Sequence, residues 1–208
     1  MHNSQKKLDE LLKQITDIES QFLDCASKII KAGQSKVDNL DFIALSVLNR
    51  AISLNKGYKT LIEANNTLSA VNLLRLQLDN LIRYNSIFVA NERNYIDYII
   101  DGNPINKYKK GNQQFTDNYL AKELDKKFSN SYELYKHLCE FVHYSEKHIS
   151  KIITTSENEN ALFRVVVGDN DNFNLTEKID YTENLLFISL NLLSLMRKWP
   201  EEKEIYFN

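Results

Sequence analysis

Three histidines fall within one short run of this chain, HLCEFVHYSEKH, which carries His137, His143 and His148 beside Cys139. Imidazole titrates near neutrality, so a histidine held against a carboxylate or a phosphate is a ready acid or base. A second stretch carries charge where none is expected. Between Thr67 and Ala90 the sequence TLSAVNLLRLQLDNLIRYNSIFVA is apolar almost all round, yet Asn72, Arg75, Asp79, Arg83 and Ser86 recur along one edge. Spacing of three and four residues makes that edge a single seam on a helix. Charges set into a buried helix must be paired or used, because leaving them bare is costly. If the two segments pack side by side, Asp79 would hold one imidazole nitrogen of His143 and leave the other free. That carboxylate would raise the His143 pKa by favouring the imidazolium. Arg75 would offer its fork of donors to a phosphate. The competing reading is an Arg–Asp–His network that pins two helices together without chemistry.

Other chemistries find less support. Cys139 and His143 stand one helical turn apart, and Glu140 with His143 has the Glu-x-x-His spacing of di-iron bundles. Such bundles need that motif on two helices, and it occurs once, so no metal site is assigned. There is no Ser/His/Asp arrangement, phosphate-cradling Gly loop or dinucleotide fingerprint, and no cofactor is implied. On a helical wheel His143 lies with Cys139, Tyr132 and Glu146, while His137, Tyr144 and His148 share another flank. The three histidines therefore do not converge from one helix. Lys107, Lys109 and Lys110, with Tyr108 among them, form a basic aromatic loop where an RNA backbone would dock. A solvated face is the plain alternative for such a run.

The elements that must position these residues read as helices. The chain has 208 residues, 5 Gly and 2 Pro, with a net charge of -2. That length fits one domain, 1–208, with a single core, and scarce helix breakers favour an all-α fold. A balanced charge gives no general attraction to nucleic acid, leaving only local basic patches. A first helix is expected over 4–32, with Leu8, Leu11, Leu12, Ile15, Ile18, Phe22 and Ile29 inward and Gly33 as its stop. Asp38 or Asn39 caps a second, carrying Phe42, Leu45, Leu48, Ile52 and Leu54 and running through Gly57 to Glu63. The third is Thr67–Ala90, capped by Asn66, with Leu68, Val71, Leu74, Leu78, Leu81 and Ile82 as its main stripe. A short piece at 92–101 precedes the irregular GNPINKYKKGNQQ, where 103–114 is expected to be mobile and open to protease. Thr116 caps a small helix, and Asn130 opens one continuous helix through the three histidines. Residues 163–167 form the one β-like passage, a short arm before a last helix that ends ahead of Pro200. Five or six main helices result. Two distant cysteines, a polar N-terminal stretch and no long apolar run point to a cytoplasmic protein with no membrane partner.

The pattern Y-x-x-L-x-x-x-V-H ending at His143, late in a long-helix bundle, resembles the HEPN superfamily. Active members pair an Arg with a His and act as RNases or toxin-like effectors. The Arg position of that motif is held here by His137, flanked by Lys136 and Leu138. The segments LLRLQLDNLIRY, DNYLAKELDKKF and YKHLCEFVHYSEKHI are also similar to a family of uncharacterised bacterial helical proteins, over 73–149. What the resemblance implies is a shared polar set of Arg75, Asp79, His143, Ser145 and His148. That family lends no reaction, and it is the HEPN likeness that implies an effector, RNA-directed as a nuclease, in bacterial defence or toxin–antitoxin biology. His143 would then be the acid or base and Arg75 the phosphate binder. RNA or a nucleotide is the implied ligand, with a homodimer or a partner protein as further company. The alternative is a non-catalytic helical interaction module, so whether the chain is an enzyme stays open at this point.

Overall fold

The first helix, α1 (His2–Lys31), buries Leu8, Leu11, Leu12, Ile15, Ile18, Phe22 and Ile29, the stripe that its spacing predicts. The computed structural model describes residues 2–32, 36–143, 145–154, 164–165 and 171–207. Gly33, the expected helix stop, lies outside them. Helix α2 (Asn39–Glu63) starts at Asp38, whose carboxylate accepts from the Leu40 N–H at 2.8 Å. Asp41 reaches back to accept from the Asp38 N–H at 2.8 Å, closing a capping box. Phe42, expected inward, is 59% exposed instead. Gly57 sits within α2, and a Cβ there would stand 2.8 Å from the Leu73 δ1 methyl. Gly57→Ala gains about 1 kcal/mol of helix preference against displacing that one terminal methyl. Thermal melts should place the variant within about 1 kcal/mol of the parent.

Helix α3 (Thr67–Ala90) has the expected bounds, with Asn66 accepting from the Ser69 N–H and Asn91 ending it in the left-handed region. Val71, Leu74, Leu78, Leu81 and Ile82 are fully buried, whereas Leu68 and Leu76 face outward. After it come α4 (Arg93–Ile100), α5 (Asp117–Asp125), α6 (Ser131–Val142), α7 (Glu146–Ile152), α8 (Leu175–Met196) and α9 (Lys198–Phe207). Helix α3 packs on α2, α4, α5, α6 and α8, which makes it the centre of the bundle. One hydrophobic cluster runs from Leu8 on α1 to Trp199 on α9. The fold is all-α, and no described helix is long and apolar enough to cross a membrane.

Three expectations are corrected here. The stretch 103–114 is not structureless: Ile105–Lys107 is a 3₁₀ turn, and β1 (Lys109–Lys110) pairs with β2 (Gln113–Gln114) across Gly111. The anchor is aromatic. Tyr108 and Phe115 are buried 5.2 Å apart and pack on Tyr95, while the Tyr108 hydroxyl donates to Glu92 at 2.8 Å. The helix expected through all three histidines breaks after Val142, because Ser145 caps a new helix and accepts from the Lys147 N–H. The chain also continues as α9 past Pro200. A proline in the first turn removes no intrahelical bond, since those N–H groups have no partner in any helix. Of the β-like passage, Arg164–Val165 is β4, paired antiparallel with β3 (Ile153–Thr154); its remaining residues lie outside the described ones.

Candidate functional site

Arg75, Asp79 and Arg83 do form one seam, on the outward strip of α3. Arg83 Nε approaches the Asp79 carboxylate at 3.4 Å, and Arg75 Nη1 stands 3.9 Å from it. Arg50, from α2, adds a third guanidinium at 3.9 Å. Arg83 also pairs with Asp117 in the first turn of α5. All three approaches to Asp79 are ion pairs longer than hydrogen bonds. Arg75 is the most buried of the three, its side chain only 12% exposed, and its Nε is enclosed without a hydrogen-bond partner. Its guanidinium lies 4.7 Å from the centre of the Tyr135 ring on α6, a cation–π contact. Burial pushes the Tyr135 phenol up, and the neighbouring Cys139 adds to the shift. Tyr132 runs parallel to Tyr135 at 6.3 Å, with the Lys122 and Lys136 ammonium groups 5.3 and 5.1 Å over its ring. Three guanidinium groups thus face two carboxylates beside an aromatic pair, and the Arg75 Nε donor remains unused.

His143 is not brought to this seam. Tyr135 is the α6 residue against Arg75, and His143 follows it by eight residues, about 12 Å further along the chain at helical rise. It caps the end of α6 with extended backbone and is exposed, and the pairing expected with Asp79 is not made. Ser145 and His148 lie together at the start of α7, where Ser145 is the N-cap and the Ser145 N–H donates to His148 Nδ1 at 3.3 Å. Lys110 donates to the Ala90 carbonyl at 2.6 Å, which leaves Lys107 and Lys109 exposed at the far end of α3. Ser86, counted in the seam from spacing, is buried and bonded to the Tyr95 hydroxyl at 2.7 Å.

Residues outside the sequence reading complete the picture. Arg50, Asp117 and Tyr135 reach the seam from other helices, a convergence that spacing within α3 does not carry. Beneath it, Gln77 and Asn80 are buried and tie α3 to α2 and α8. The Gln77 amide donates to Asn55 Oδ1 at 3.0 Å and Asn80 to the Val47 carbonyl at 3.0 Å, while the Ser189 hydroxyl donates to Asn55 at 3.2 Å. A groove of about 950 Å³ opens along α1, α2 and the start of α8, lined in part by Leu8, Leu12, Thr16, Lys59 and Lys178. Lys59 there donates to the Thr16 hydroxyl at 3.0 Å and Lys178 pairs with Asp171 at 2.9 Å. Among the described residues no group of three or more His, Cys, Asp or Glu side chains is placed to hold a metal ion. No family model, curated protein or solved structure matches the chain.

Proposed function

We propose that this chain is a non-catalytic helical binding module whose arginine seam docks a phosphate-bearing partner, RNA in the first instance. The observation that carries the reading is the enclosed Arg75 with an unused Nε, next to two further guanidinium groups around one carboxylate. Guanidinium donors suit phosphate oxygens, and Asp79 keeps the three like charges together until an anion arrives. The effector and nuclease reading would need His143 at the phosphate as acid or base, and its distance from Arg75 along α6 favours binding without cleavage. Labelled single-stranded RNA at low salt, followed by fluorescence anisotropy, tests this. The double variant Arg50→Met, Arg75→Met should bind at least about tenfold more weakly and show a shallower dependence on salt, by about one unit per lost contact. RNA that fails to bind the parent, or binds the variant equally well, overturns the proposal. Cleavage by the parent that is lost in His143→Ala overturns its non-catalytic part.

A further inference from the structure

Helix α7 contributes no buried residue to the bundle, and Ile149 and Ile152 are exposed. Its hold on the fold is polar. Lys147 Nζ stands 2.6 Å from His137 Nδ1 and 2.6 Å from a Glu140 carboxylate oxygen, both on α6. An ammonium only donates, so His137 Nδ1 accepts, and the neutral ring carries its proton on Nε2. That Nε2–H points to the Tyr181 hydroxyl of α8 at 3.4 Å. At the same corner His148 Nδ1 accepts from the Ser145 N–H. Both rings flank Phe141, which with Phe173 and Tyr181 forms the aromatic cluster beneath.

We propose that the α6–α7 corner is an acid-opened latch, closed while His137 is neutral and released when it takes a proton. Protonated His137 would face the Lys147 ammonium across a hydrogen-bond length. Among the described residues the other charged groups at the corner are Glu140 on α6, Glu146 and Lys151 on α7, and Glu177 and Asp180 on α8. Glu140 offsets part of the repulsion, but Lys147 already occupies it, and Lys151 is held by Glu177. Burial lowers the His137 pKa below its ordinary value, the Lys147 ammonium lowers it further, and Glu140 opposes. The open corner therefore binds the proton more readily than the closed one. Closure is at full strength above the ordinary histidine range near 6.5 and is lost as pH falls through it towards the lower closed-state value. Opening uncovers Phe141 and the aromatic cluster.

Hydrogen exchange of the amides in 146–152, corrected for intrinsic rates and compared with α3, reads the latch between pH 7.5 and 5.0. Protection of α7 should fall several-fold, at about tenfold per pKa unit separating the open and closed states, while α3 stays unchanged. The variant His137→Gln keeps an acceptor that does not titrate and should hold its protection over the same range. In ring-proton titrations by NMR, His137 should have its midpoint below the ordinary value, and Lys147→Met should move it up. Protection of α7 that does not change with pH in the parent overturns the proposal. So does the same loss in His137→Gln, or a His137 midpoint unmoved in Lys147→Met.

Discussion

Replacing Asp41 by alanine should destabilise the protein by about 3–5 kcal/mol, the range for stripping one partner from a buried ion pair. Asp41 is where the last helix is locked to the rest. Its Oδ1 accepts from Trp199 Nε1 at 2.8 Å, and its Oδ2 accepts from Lys203 Nζ at 2.7 Å and from the Asp38 N–H at 2.8 Å. Lys203 is 1% exposed and has, among the described residues, one other acceptor, the Ile29 carbonyl at 3.2 Å. Removing the carboxylate leaves that ammonium enclosed with a neutral partner alone, and it also opens the capping box of α2. The chain has 1 Trp, so fluorescence of Trp199 in urea reports this corner directly. The double variant Asp41→Leu, Lys203→Met removes both charges and should regain more than half of the loss. A loss below about 1 kcal/mol in Asp41→Ala, or no recovery in the double variant, would show that the pair does not hold α9.

How much of this was legible in the sequence depends on whether the signal was local. Caps and stripes were, because they lie within one turn: Asn66 before α3, Asp38 before α2, and the inner faces of α1 and α3. The seam itself was legible, since Arg75, Asp79 and Arg83 share an edge at any packing. Its partners were not. Unexplained polarity on both residues points Asp79 at His143, but the carboxylate is surrounded by Arg50, Arg75 and Arg83. A wheel that places His143 takes one continuous helix over 131–153, whereas the Ser145 cap resets the phase before His148. The signal is a serine followed by Glu146 and His148, and an unbroken apolar period outweighs it. Buried Gln77 and Asn80 were hidden for the opposite reason. They sit among apolar neighbours, and an amide reads as surface unless its partners on α2 and α8 are known. Pro200 misled in the same local way, as a stop when it stands in a first turn. Asp41 and Lys203 are 162 residues apart, and no periodicity links them.

Leu78→Ala should cost about 2–5 kcal/mol, the range for emptying a leucine site in a packed core. Leu78 is fully buried on α3, the helix that touches α2, α4, α5, α6 and α8. Collapse into the emptied site is restrained on one side. Gln77 and Asn80, adjacent on the same helix, are fixed to Asn55 and to the Val47 carbonyl, and shifting the backbone would break buried amide bonds. Sites that cannot collapse lie in the upper half of that range, so the larger values are expected here. Leu76→Ala provides the internal comparison. It is on the same helix with the same helix preference, yet Leu76 is 41% exposed, so its loss should stay below about 1 kcal/mol. Urea denaturation of both variants checks the pair, with the midpoint shift read at unchanged slope. Equal losses for Leu76 and Leu78 would mean that α3 does not present one face to the core and the other to the seam.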